Sequence, residues 1–111
     1  MHVEAKHAPA ALVITVLESR LDAKGAVEFK TMVTEWINRG YRVIVLNLAA
    51  VRFMDSSGLG AIVSTLKVLG RDGNLVLCGV TDPVMNLFTL TRMDRVFQMF
   101  TSESEALAAL A

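Results

Sequence analysis

The sequence predicts an α/β fold: a single domain built on a central mixed β-sheet of about four to five strands flanked by about four helices. Three observations predict it. Short runs rich in β-branched residues alternate with longer segments whose apolar residues recur at three-and-four spacing. Two of the runs, Val43-Ile44-Val45-Leu46 and Leu75-Val76-Leu77-Cys78, are apolar without alternation, as in parallel strands covered on both faces. The chain of 111 residues is 53% hydrophobic, which is enough for one core. No repeat, low-complexity tract or linker divides residues 1–111 into more than one domain.

Each element follows from its local pattern. Val3 to His7 reads as an edge strand beside Leu12 to Leu17, whose Leu-Val-Ile-Thr-Val-Leu is short and β-branched. From Ala23 to Arg39, residues Ala26, Phe29, Met32, Val33, Trp36 and Ile37 share one helical face. Asp22 stands at the N-cap of that helix and Gly40 at its stop. Arg42 to Leu48 is a buried strand and completes a βαβ unit. After Asp55-Ser56-Ser57-Gly58, a second helix carries Leu59, Ile62, Val63 and Leu66 on one face and ends near Gly70 to Gly73. Asn74 to Gly79 is the next buried strand, and Pro83 opens a third helix with Val84, Leu87, Phe88 and Thr91 on one face. A short apolar segment, Val96 to Phe100, precedes a last helix running from Ser102 through Ala106, Leu107 and Leu110. There Ser102 and Glu105 have capping-box spacing.

Composition narrows the function. Eleven Lys plus Arg balance eleven Asp plus Glu with no block of like charge, so a basic nucleic-acid footprint is absent and no direct nucleic-acid partner is expected. His2, Glu4, Lys6 and His7 break up the first residues, so no signal peptide is expected there. Val43 to Val51, broken by Asn47, is far shorter than the roughly 20 residues of a membrane span, so no membrane insertion is expected. The lone Cys78 sits within an apolar run and fits a buried thiol in a reducing compartment, which points to the cytoplasm.

Catalysis finds little support. The only histidines, His2 and His7, lie in the edge strand or at the frayed N-terminus before it, and no G-x-S-x-G elbow surrounds Ser56 or Ser57. Asp22, Asp55 and Asp82 match no metal-ligand spacing and read as caps and turn formers, so no metal is expected. Gly58-Leu59-Gly60 superficially looks like a dinucleotide loop, but Val63 stands where the third glycine belongs, and no G-K-[ST] is present. The methionines and Trp36 read as packing rather than as a cofactor site, and no cofactor is expected.

Right-handed crossovers bring the C-terminal ends of parallel strands to one sheet edge. Three loops meet there: Glu18 to Ala23, Ala49 to Ser57 and Gly79 to Pro83. Asp22, Asp55, Ser56, Ser57, Thr81 and Asp82 are therefore expected together at that edge, where recognition residues usually sit.

The segment Phe53-Met54-Asp55-Ser56-Ser57-Gly58-Leu59-Gly60 resembles the signature of the STAS domain in its bacterial anti-sigma factor antagonist form. The resemblance spans nearly the whole chain. It includes Leu21-Asp22, Val43 to Leu48, Val84 with Leu87-Phe88, and Ser104-Glu105-Ala106-Leu107. It implies a single STAS domain that catalyses nothing itself. It also implies that Ser56, the serine after the aspartate, is phosphorylated by a partner that is both a serine kinase and an anti-sigma factor. The unmodified protein would bind that partner and free the sigma factor, phosphorylation would end binding, and a serine phosphatase would restore it. Asp22, Asp55, Ser56, Ser57, Gly58, Thr81 and Asp82 would form the contact face.

Alternatives stand beside each of these roles. Ser56 also reads as an ordinary N-cap, Ser57 competes as the phosphoacceptor, and Asp22 reads equally as a partner contact or a cap. Two departures from the family pattern stand out: Ser19-Arg20 where relatives often carry Gly-Glu, and Thr91-Arg92-Met93 where they often carry a glycine. A constitutive STAS scaffold, or an accessory subunit of a signalling or membrane transport complex, is the alternative function. A small-molecule or nucleotide sensor using the same edge is a third.

Overall fold

The computed structural model describes residues 1–111. Its strands are β1 (Val3–His7), β2 (Leu12–Val16), β3 (Arg20–Leu21), β4 (Val43–Asn47), β5 (Phe53–Met54), β6 (Asn74–Cys78) and β7 (Met99–Phe100). The helices are α1 (Ala23–Asn38), α2 (Ser56–Leu69), α3 (Asp82–Leu90) and α4 (Glu103–Leu110), with a 3₁₀ turn at Met93–Arg95. The main sheet has the order β1-β2-β4-β6-β7. β1 runs antiparallel to β2, and the other neighbours are parallel.

Alternation along the strands sorts side chains onto two faces. Register aligns Ile14 with Leu46 and Leu46 with Leu77, and these belong to the large core formed with Phe29, Val33 and Ile37 of α1, Ile62 of α2 and Phe88 of α3. Val13 aligns with Val45 and Val45 with Val76; with Cys78 they form a smaller core closed by Ala106 of α4. Apolar residues on both sides of the strands explain why β4 and β6 show no alternation in sequence. Each fully buried leucine, isoleucine or phenylalanine contributes on the order of 1.5–3 kcal/mol through removal of apolar surface from water.

The mixed α/β architecture agrees with the sequence expectation, and four local differences have physical causes. β3 and β5 pair in parallel as a separate two-stranded sheet that no sequence pattern announced, because two residues are too few to show a period. In the apolar segment Val96 to Phe100, to which the sequence assigns no element, only Met99 and Phe100 pair as a strand; Val96 is half exposed at the end of the 3₁₀ turn. Trp36 lies half-buried at the rim rather than in the core. Its ring stands 6.3 Å from His7 and 5.4 Å from Tyr41, with the Arg39 guanidinium 5.0 Å above it. Thr91 is exposed too, its hydroxyl donating back to the Leu87 and Phe88 carbonyls where α3 ends.

Candidate functional site

The site is built on the small sheet. Arg20 is paired with Phe53 and Leu21 with Met54, and alternation turns Leu21 and Met54 into the core while Arg20 and Phe53 face outward. The backbone N–H groups of Arg52 and Phe53 both donate to the Ser19 carbonyl, at 2.8 and 3.0 Å. Each strand then runs directly into a helix through an aspartate cap. Asp22 Oδ1 accepts from the Gly25 N–H at 3.4 Å and Asp55 Oδ1 from the Gly58 N–H at 3.0 Å. The two segments share one plan, apolar-Asp-x-x-Gly, so α1 and α2 begin side by side from parallel strands.

Gly58 makes that approach possible. A Cβ there would overlap the Leu21 carbonyl oxygen and come within 2.9 Å of Met54 Cγ. Gly58 is buried and presents no side chain outward, so what the structure gives it is a packing role beneath the edge.

Ser56 is the first residue of α2 and is exposed. Asp55, not Ser56, is the N-cap, so the reading of Ser56 as an ordinary cap is replaced: its hydroxyl makes no hydrogen bond within the chain. The orphan N–H groups and positive end of the helix dipole lie beside it, an environment that tolerates an anion. Ser57 is exposed as well and lies along the outer α1–α2 groove with Ala23, Ala26, Val27, Lys30, Ala61 and Ser64. Asp22 is half-buried and acts as a cap, with Oδ2 placed 3.7 Å from Arg20 Nε.

Thr81 and Asp82 sit at the start of the neighbouring helix α3. Thr81 is its N-cap residue but does not use its side chain to cap; its hydroxyl donates to the Val51 carbonyl at 2.6 Å, fastening this loop to the one that leads to Ser56. Asp82 is exposed in the first turn of α3. The structure therefore gathers Asp22, Asp55, Ser56, Ser57 and Gly58 around the small sheet and joins Thr81 and Asp82 to them through one hydrogen bond.

Sequence reasoning missed Phe53 as an outward residue and noted Arg20 only as a departure. The Arg20 guanidinium lies 4.2 Å from the Phe53 ring centroid. The only signal was the shared order of an outward residue, a buried apolar residue and an aspartate in Arg20-Leu21-Asp22 and Phe53-Met54-Asp55. Beside this pair opens a polar cleft of about 340 Å³ lined by Glu18, Ser19, Asp22, Lys24 and Glu28 among others.

Elsewhere, burial first and the nearby Glu103 second push the Cys78 thiol up to about 11, so it stays protonated near neutral pH and is a poor nucleophile. No group of three or more His, Cys, Asp or Glu side chains is arranged to hold a metal ion. No helix is long and apolar enough to cross a membrane.

Comparison with known proteins places this geometry. Residues 2–106 match the family model described as STAS domain. The anti-sigma F factor antagonist of Paenibacillus polymyxa is 30% identical to this chain over 112 residues, covering 99% of this chain and 95% of that protein. Among solved structures, an anti-sigma-factor antagonist (STAS) domain protein from Planctomyces limnophilus has a TM-score of 0.89 at 23% identity, covering 98% of this chain and 97% of the other. The Bacillus cell fate determinant SpoIIAA in its phosphorylated form has a TM-score of 0.76 at 19% identity, covering 99% of this chain and 100% of the other. Both structures share the fold of this chain.

Proposed function

The chain belongs to the STAS domain family, and from that premise we propose that it is an anti-sigma factor antagonist working by partner switching. Unphosphorylated, it binds an anti-sigma factor with serine kinase activity and so releases the sigma factor; phosphorylation at Ser56 ends binding and a serine phosphatase restores it. The reading places the protein in the cytoplasm and gives it no catalytic step of its own. A relative named as an anti-sigma F factor antagonist and a fold neighbour solved in a phosphorylated form support it.

The observation that carries the proposal is the exposed hydroxyl of Ser56, relieved of capping by Asp55. A kinase meets a free Oγ there, and the helix start accepts the new phosphate without unfolding. That phosphate adds about −1.5 to −2 charge beside Asp55. A loss of about 3 kcal/mol from like-charge repulsion and steric block lowers affinity roughly a hundred-fold, and no conformational change is required. Asp22, Ser57, Thr81 and Asp82 complete the contact face, with Gly58 holding it from beneath.

The test uses the protein, Ser56→Ala and Ser56→Asp as bait in the native host, each first shown to be folded. Wild type and the alanine form are expected to retain an anti-sigma factor that the aspartate form loses. Incubation of the purified partner with ATP is expected to modify wild type and Ser57→Ala but not Ser56→Ala, read by mass spectrometry. Equal retention of one partner by all three baits would replace the switch with a constitutive scaffold or accessory subunit.

A further inference from the structure

The outward face of the small sheet carries a feature that capping and packing leave unused. Phe53 is 42% exposed although its neighbours Leu21 and Met54 are buried. The Arg20 side chain is 61% exposed and stacks on that ring at 4.2 Å, with Nε steadied by Asp22 Oδ2 at 3.7 Å. Neither Nη nitrogen hydrogen-bonds within the chain, whereas Asp22 and Asp55 are each engaged in a helix cap. A guanidinium lying on an aromatic face keeps its donor fork pre-organised and free at the edge, a geometry matched to a carboxylate. Exposed aromatics and arginines are the residue types enriched among interface anchors. β5 continues through Asp55 into Ser56, so a protein that covers Ser56 meets this pair within a few residues.

We propose that Arg20, seated on Phe53, is a specificity-determining contact that takes a carboxylate side chain of the anti-sigma partner, an inference that rests on the function proposed above. The kind of partner it fits is a surface with an acidic residue placed to meet the fork and an apolar atom group to cover the Phe53 ring. A partner with a basic residue at that point is rejected by charge.

The experiment takes the anti-sigma factor retained by wild type, purified, as probe and measures Kd by titration calorimetry for wild type, R20E, R20K, F53A and Ser56→Asp. Thermal melts of each variant exclude misfolding. R20E is expected to weaken binding about 30-fold or more, and R20K and F53A about 5-fold to 10-fold, because lysine lacks the planar fork and alanine the platform. Reversing one acidic residue of the partner to lysine is expected to restore R20E. If R20E and F53A bind as wild type does while Ser56→Asp does not, the inference is overturned and the switch stands. If no reversal in the partner restores R20E, or Arg20 matters only once Ser56 carries phosphate, no carboxylate of the partner meets the fork and the inference is overturned. If wild type binds no anti-sigma factor, the functional reading falls and takes the inference with it.

Discussion

Arg92 is the one non-glycine residue with positive φ, at 62°, and it sits where the chain leaves α3. The left-handed region brings a Cβ against its own backbone, a cost that glycine avoids. Arg92→Gly is therefore expected to raise stability by about 0.5–1 kcal/mol despite the greater freedom it gives the unfolded chain. A urea midpoint that rises without a change in slope checks this. At the same scale, the place of Ser56 at a helix start was legible in sequence because the surrounding signature is contiguous. The assignment of the cap to Asp55 rather than Ser56 was not, since both residue types cap well and only the Asp55 Oδ1 to Gly58 N–H bond separates them. Arg20 and Phe53 were illegible as a pair because they are 33 positions apart and meet only through the register of two very short strands.

Among the elements, α1 was readable because Ala26, Phe29, Val33 and Ile37 fall on one buried face. β3 and β5 were not, because what makes them strands is non-local: they pair with each other across α1 and β4. Their function as elements is to launch α1 and α2 in parallel, and the strength of that launch depends on the caps. Asp55→Ala removes the acceptor for the Gly58 N–H and is expected to cost about 1 kcal/mol. It is also expected to fray the first turn of α2, so amide exchange at Gly58 and Leu59, the amides bonded to Asp55, accelerates while exchange in β4 and β6 follows only the global change. Unchanged exchange at those two amides would show that burial against Leu21, not the cap, holds the turn.

Across the whole molecule, one side chain ties the last helix to two strands of the main sheet at once. Glu103, at the start of α4, accepts from Lys6 Nζ of the edge strand at 2.6 Å and from Asn47 Nδ2 of a central strand at 3.4 Å. The Lys6 hydrogen bond is the first cause that holds its carboxyl below the usual range; burial opposes it, and the Asn47 bond and the Lys6 charge assist. A depressed folded-state pKa means that the unfolded chain binds the proton more readily. The contribution is therefore fully present above the unfolded glutamate value of about 4.3 and is lost as pH falls through the lower folded value. Glu103→Gln is expected to make stability less dependent on pH in the window from about 4.3 downward, without flattening it completely. It is also expected to loosen α4 from the sheet at neutral pH by removing its charge-assisted tie to β1. Denaturant melts of wild type and Glu103→Gln across that acid window measure the slope. Parallel slopes would mean that the Lys6 pair is screened by solvent and that α4 is held by Ala106 and its apolar neighbours alone.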